Sequence, residues 1–131
     1  MARYKFPKSA RLTSRSDFRA ILEYNLFAKN NLMTLYMAPN STARPRFAAS
    51  ISSKIAPAVV RNRLKRLARE AFRLSSHTIP DNFDYLIIFS GLLSKDKSCD
   101  IKKLSFSQIR NSFLKLAKQG QECFEKRQGK S

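Results

Sequence analysis

A chain of 131 residues is long enough for one domain with a modest hydrophobic core and too short for two domains of ordinary size. Its 26 Lys and Arg against 9 Asp and Glu give a formal net charge of +17, so we expect a polyanionic partner, with nucleic acid as the first candidate and an anionic membrane surface as the second. With 2 Cys and 1 His the sequence cannot supply the roughly four ligands of a structural zinc site. No apolar stretch approaches the roughly 20 residues of a membrane span, so we predict a cytoplasmic protein with no membrane partner.

In chain order, the N-terminal half predicts a basic, flexible arm over residues 1–11, then a helix and strands. Ser14 with Asp17 three residues on is an acceptable helix N-cap. Residues 25–31 are typical of a turn or short strand edge, and residues 32–37 of a strand. Residues 46–53 alternate apolar and small polar side chains, the pattern of a half-buried strand. The first helix has its apolar face at Phe18, Ile21 and Leu22.

The C-terminal half predicts two helices around one strongly apolar strand. Pro57 suits the first turn of a helix that runs to about Leu74. Residues 82–90 predict a strand buried on both faces, and residues 91–103 a loop. Ser105 and Gln108 form a capping box that opens the final helix, and we predict a polar, basic tail from Gln119. The apolar stripe of that helix is Phe106, Ile109, Phe113 and Leu116 or Ala117.

The helix after Pro57 carries the strongest functional signal. At 3.6 residues per turn, one continuous arc of it is apolar and the neighbouring arc is almost purely cationic. A solvated helix face gains stability from opposite charges at i, i+4, whereas this helix stacks like charges at that spacing, which favours anion binding. The pattern does not separate RNA from DNA. The apolar arc is Val60, Leu64, Leu67, Ala68, Ala71, Phe72 and Leu74; the cationic arc is Arg61, Asn62, Lys65, Arg66, Arg69 and Arg73, with Arg63 off it, near Glu70.

The segment Arg61-Asn62-Arg63-Leu64-Lys65-Arg66-Leu67-Ala68-Arg69 closely resembles the RNR motif of the bacterial ribonuclease P protein family. Flanking stretches agree with that family in order and spacing, and the resemblance covers roughly residues 6–118. These stretches are Leu12 to Phe18, Leu35-Tyr36, Arg46 to Ile55 and Ser105-Phe106.

The resemblance implies a single-domain α+β fold of order α-β-β-β-α-β-α, similar to ribosomal protein S5 domain 2, with a left-handed βαβ crossover. It implies an ordered core over about 6–118 between the basic arm and the tail. It further implies the non-catalytic protein subunit of an endoribonuclease, a monomer within the ribonucleoprotein, whose partners are the ribonuclease P RNA and precursor tRNA. The chemistry would then belong to the RNA subunit, which would bind most of the required Mg²⁺.

Two groups of site residues follow from the resemblance, and neither includes a catalytic residue or a metal ligand. Leu22 stands where many members have an aromatic residue, and Phe18 could equally be a core residue. The alternatives are a structural or ribosomal RNA-binding protein without a catalytic partner, and a DNA-binding helix-turn-helix protein. The face for the RNA subunit is Lys54, Arg61, Asn62, Arg63, Lys65, Arg66, Arg69 and Arg73; the cleft for the tRNA leader is Phe18, Leu22, Thr34, Tyr36, Arg61 and Asn62.

Overall fold

The computed structural model of the chain describes residue 12 and residues 15–40, 44–89 and 104–128, and these residues form three helices and four strands. Their order confirms the predicted α-β-β-β-α-β-α succession. The predicted arm, the Ser14 cap and the loop at 91–103 lie outside the described residues. The elements are α1 (Arg15–Tyr24), β1 (Leu26–Lys29), β2 (Met33–Pro39), β3 (Arg46–Ser50), α2 (Ala58–Leu74), β4 (Phe83–Phe89) and α3 (Phe106–Gln128).

The four strands form one sheet in the order β1-β2-β4-β3. β2 is antiparallel to both β1 and β4, whereas β3 and β4 are parallel neighbours, so α2 is the crossover helix between them. At one end of the sheet Thr34, Ile88 and Ser50 lie side by side, and we name this the upper end. Because β3 finishes there, α2 begins near the upper end and runs back toward the lower end.

One face of the sheet carries the main core. Alternate residues of each strand point to this face, where α2 and α3 cover them. Phe47 of β3 stacks on Phe72 of α2 with ring centroids 4.8 Å apart, and the edge of Phe113 of α3 meets Phe47 at 6.2 Å. The predicted strand at 82–90 is confirmed, since all but one residue of β4 is buried.

Of the described residues, α1 and Leu12 cover part of the other face of the sheet. Asp17 near the start of α1 lies 3.5 Å from Arg46 at the lower end of the sheet. After α1 the chain turns at Asn25, whose φ of 58° a short polar side chain tolerates, and it enters β1 opposite Met37, again toward the lower end. α1 therefore crosses the lower half of this face, and no other helix or strand of the described ranges covers the upper half.

The amphipathic pattern of α2 is confirmed except at its last residue. Leu64, Ala68, Ala71 and Phe72 are buried, and Val60 and Leu67 pack partly against the same core. Leu74 is 48% exposed, so its placement on the apolar arc was wrong. The helix ends at Leu74 and the fully buried Ser75 takes the inward position, its N–H bonded to the carbonyls of Ala71 and Phe72.

α3 confirms the predicted capping box and corrects the predicted tail. Ser105 N–H donates to Gln108 Oε1 at 2.9 Å, and Gln108 N–H donates to Ser105 Oγ at 3.2 Å. The tail from Gln119 was wrong, because α3 continues to Gln128. The apolar stripe extends through Gly120, which lies directly over Met37, and Phe124, whose ring meets the edge of Phe83 at 4.9 Å. No helix within the described ranges is long and apolar enough to cross a bilayer.

Candidate RNA interface

The first candidate surface is the row of cations along α2, which we name the α2 row: Lys65, Arg66 and Arg69, with Arg61 and Asn62 at its upper end. Asn62, Arg66 and Arg69 are exposed, and Arg61 and Lys65 are half-exposed. Arg61 Nε donates to the carbonyl of Ala56 at 3.0 Å, which fixes the start of the helix to the crossover loop. Lys65, Arg66 and Arg69 make no hydrogen bond or ion pair with any residue in the described ranges.

α3 supplies an internal comparison for the α2 row. Its exposed side carries Lys118, Glu122 and Lys126 in steps of four, so the signs alternate as they do on an ordinary solvated helix. The α2 row has no acidic residue between its cations. The like charges of the α2 row therefore lower the stability of the free protein slightly, a pattern that is typical of surfaces that bind phosphate groups.

Two predicted interface arginines have intramolecular partners. Arg63 Nη2 donates to the carbonyl of Leu104 at 2.7 Å, which ties α2 to the start of α3. Arg73 forms an ion pair with Glu70 one turn earlier. Lys54 lies exposed in the crossover loop, near the upper end of the sheet. Among the predicted contacts, Lys54, Lys65, Arg66 and Arg69 are thus the cations whose side chains have no partner in the described ranges.

The second candidate surface is the open upper half of the α1 face, which we name the cleft. Phe18 and Leu22 lie one turn apart on α1; Phe18 is half-buried and packs in a small cluster with Tyr36, whereas Leu22 is 40% exposed. Thr34 and Tyr36 of β2 point to the same face and are half-buried. Phe18 therefore belongs both to the small core under α1 and to the wall of the cleft.

Sequence reasoning missed one aromatic residue of this surface. Phe27 on β1 is 39% exposed, and its ring centroid lies 5.4 Å from that of Tyr36, with the planes tilted by 37°. Residues 25–31 had only suggested a turn or strand edge, so nothing in the sequence gave the register that sets Phe27 opposite Tyr36. The alternation of side chains between the two faces of the sheet along the four residues of β1 was the one available signal. Four residues are too few to determine the strand register from such a pattern.

Arg61 and Asn62 relate to the cleft through the topology. α2 packs on the opposite face of the sheet, but its first turns lie at the upper end, where the cleft opens. Both residues therefore lie toward the upper end of the sheet, on a helix that packs on the face opposite the cleft. The described side-chain contact of Arg61 is with the Ala56 carbonyl and not with a cleft residue.

Two carboxylates at the lower end of the α1 face, Asp17 and Asp84, are engaged by protein contacts. Arg46 joins Asp84 and Asp17, and Asn40 Nδ2 donates to Asp84 Oδ1 at 2.7 Å. The hydrogen bond to Asp84 raises the pKa of Arg46 above its ordinary value, with partial burial opposing it. Within the described ranges no three His, Cys, Asp or Glu side chains come together as metal ligands would.

A cationic helix beside an open sheet face lined with aromatic rings is the arrangement of a nucleic-acid-binding domain. Comparison with known proteins gives the family: the profile described as Ribonuclease P matches residues 6–121. The chain belongs to the ribonuclease P protein family, as its RNR segment had indicated.

Named relatives agree with this assignment. The ribonuclease P protein component of Petrotoga mobilis is 33% identical over 114 residues, which cover 86% of this chain and 92% of that protein. The corresponding protein of Methylococcus capsulatus is 41% identical over 86 residues, covering 65% of this chain and 66% of that protein. The RNase P protein structure from Thermotoga maritima superposes with a TM-score of 0.73 at 29% identity, covering 83% of this chain and 96% of that one. A Staphylococcus aureus RNase P protein structure gives 0.68 at 26% identity, covering 85% and 94%.

Proposed function

We propose that this chain is the protein subunit of a ribonuclease P ribonucleoprotein, a monomer within it that binds the catalytic RNA and the 5′ leader of precursor tRNA. In this role it assists endonucleolytic removal of the leader and contributes no catalytic residue. The observation that carries the proposal is Lys65, Arg66 and Arg69 of the α2 row, three cations without described protein partners on the helix that matches the RNR segment. Its site of action would be the cytoplasm.

The α2 row is the proposed contact with the RNA subunit. Arg66 and Arg69 are exposed and stand on a helix whose opposite side is locked into the core by Leu64 and Phe72. A rigid helix holds guanidinium groups at fixed spacing, and a guanidinium can donate two parallel hydrogen bonds to one phosphate. Lys65 adds a third positive charge on the same side.

The cleft is the proposed contact with the leader. A single strand exposes its bases, and proteins bind such strands by stacking the bases on aromatic rings beside cations. Phe18 and Tyr36 supply rings on the wall and floor of the cleft. Arg61 and Asn62, on the first turns of α2 toward the same end of the sheet, are the proposed polar contacts. Leu22 adds apolar contact without a ring.

Phosphodiester cleavage is assigned to the RNA subunit. The described carboxylates do not gather into a site that could hold two metal ions, and Arg46 binds Asp17 and Asp84 on the α1 face. The Mg²⁺ that the holoenzyme requires would accordingly be bound mainly by RNA. The protein's share is to hold substrate and catalyst together and to reduce phosphate repulsion between two RNAs.

The decisive assay is cleavage of precursor tRNA by a ribonuclease P RNA at low Mg²⁺, with and without this protein. We expect strong stimulation by wild type and a reduced effect for the Arg66→Ala/Arg69→Ala double variant. Lys118→Ala/Lys126→Ala on α3 is the matched control, because it removes the same charge from a mixed-sign surface. Binding to RNA without any stimulation of cleavage would favour the alternative of a structural RNA-binding protein.

A further inference from the structure

Phe27 is an aromatic side chain that the fold presents to solvent without an evident structural need. The exposed large apolar side chains in the described ranges are Leu22, Phe27, Val59 and Leu74, and Phe27 alone among them is aromatic. β1 does not depend on it for anchoring, because Leu26 on the opposite side of the strand is buried against the main core. Phe27 lies on the same face of the sheet as the cleft residue Tyr36.

The register of β1 gives Phe27 two particular neighbours. It lies directly opposite Tyr36, and the two rings touch at a centroid distance of 5.4 Å. Lys29 lies two residues further on, so it points to the same face, where it is exposed opposite Thr34. The rings of Tyr36 and Phe27 and the ammonium group of Lys29 thus lie on the same face of β2 and β1. Neighbouring strands of a sheet are about 4.8 Å apart.

The position of this trio in the sheet is also informative. The sheet order β1-β2-β4-β3 puts β1 at the edge farthest from β3, while the first turns of α2 follow β3 through the crossover loop. A single-stranded leader that runs across the sheet from the β3 side and stacks on Tyr36 would meet Phe27 next if it continues to β1. A second ring beside a cation is the chemistry that holds a further unpaired nucleotide.

We propose that Phe27 is a second stacking residue, which binds the leader nucleotide next to the one on Tyr36, with Lys29 contacting its phosphate. This inference rests on the proposed function, since it extends the leader site by one nucleotide toward β1. Phe27 and Lys29 would then bind unpaired RNA. We expect no sequence preference at this position, because any base can stack on a phenyl ring.

The test uses 2-aminopurine, a base whose fluorescence falls when it stacks. It is placed at each leader position in turn, and its fluorescence is measured in the assembled holoenzyme. Wild type should quench two adjacent positions. Phe27→Leu, which keeps the apolar contact with Tyr36 but has no ring, should restore fluorescence at one position and leave the other quenched. It should weaken binding of precursors whose leader reaches both positions by at least about fivefold, from the stacking energy of one base. Precursors with a one-nucleotide leader and mature tRNA should bind as before.

Leu74→Ala is the matched control, because it truncates an exposed apolar side chain at the end of α2 and should change neither readout. Two outcomes overturn the inference. If Phe27→Leu leaves both positions quenched, Phe27 has no contact with the leader. If it restores fluorescence at both positions, Phe27 acts only by supporting Tyr36. Tyr36→Ala separates this inference from the proposed function: if that change also leaves leader binding intact, the cleft itself is not the leader site.

Discussion

Arg46 and Asp84 face each other across the parallel strands β3 and β4 and form a two-point ion pair. Arg46 Nε lies 2.8 Å from Asp84 Oδ1, and Nη2 lies 2.7 Å from Oδ2. Asp84 is 7% exposed, and Arg46 supplies its carboxylate with two hydrogen bonds inside the fold. The same guanidinium reaches Asp17 on α1, and the pair therefore helps to fix α1 across the lower half of the sheet.

Replacing Arg46 should destabilise the protein strongly. Arg46→Met leaves the Asp84 carboxylate buried without its cation, and we expect the free energy of unfolding to fall by about 3–5 kcal/mol. Urea unfolding measures the change. Arg19→Met is the control, because Arg19 is an exposed residue of α1, and it should change stability by no more than about 0.5 kcal/mol. Equal small losses in both variants would contradict a structural role for the pair.

Tyr85 should make stability depend on pH in the alkaline range. Burial, with a smaller effect of the charge on Asp81, raises the pKa of Tyr85 far above its ordinary value of about 10. Below pH 10 the phenol is protonated in both the folded and unfolded states, so it adds no pH dependence. Above pH 10 the unfolded state loses the proton and the folded state keeps it, so stability falls by up to about 1.4 kcal/mol per pH unit.

The measurement for Tyr85 is the difference in unfolding free energy between wild type and Tyr85→Phe, taken from pH 8 to 11. The difference cancels the titration of the many lysines, which both proteins share. Tyr85→Phe also loses the hydrogen bond that Tyr85 Oη donates to the Pro80 carbonyl, which should add a constant offset of about 1 kcal/mol. A difference that does not change with pH would show that Tyr85 ionises as easily in the folded protein as in the unfolded chain.

The two sides of α2 should separate RNA binding from folding. Arg66→Ala and Arg69→Ala should weaken binding to the RNA subunit and flatten the log–log salt dependence by roughly 0.9 per lost phosphate contact on a duplex, with stability nearly unchanged. Leu64→Ala should lower the unfolding free energy by about 2–5 kcal/mol, because Leu64 is fully buried. Filter binding across a salt series and thermal melts report the two effects. Unfolding caused by Arg66→Ala would mean that α2 is rotated from its described orientation.

Phe18 and Tyr36 should matter for precursor tRNA and not for mature tRNA. Phe18→Ala and Tyr36→Ala should each weaken holoenzyme binding of a leader-bearing precursor by about 1–3 kcal/mol, since each removes a ring on which a base can stack. The loss should persist at high salt, because stacking releases no counterions. Binding to precursor and mature tRNA over a salt series is the measurement. An equal loss for both substrates would assign these rings to the core alone.

Much of this architecture was readable from the sequence, and the exceptions share a cause. The helix after Pro57, the strand at 82–90 and the Ser105–Gln108 capping box rest on local patterns, and the structure reproduces all three. Phe27 was missed because its role depends on strand register, which is a long-range property. The extension of α3 was missed because the residues from Gln119 are mostly polar and basic, whereas Gly120 and Phe124 among them pack on the sheet: a Cβ at Gly120 would lie 2.5 Å from Met37 Sδ.

The end of α3 has a consequence for the wall of the cleft. Arg127 donates to the carbonyls of Asn25 at 2.7 Å and Tyr24 at 3.3 Å, and its guanidinium lies 5.5 Å from the centre of the Tyr24 ring. A helix of 10 residues such as α1 would be marginal alone, yet Asp17 holds its first turn and Arg127 its last. We therefore expect the backbone amides of α1 to exchange hydrogen together with those of the sheet and not by separate fraying. A nucleic acid would meet a cleft that is already formed, and the protein would lose little conformational entropy when the nucleic acid binds.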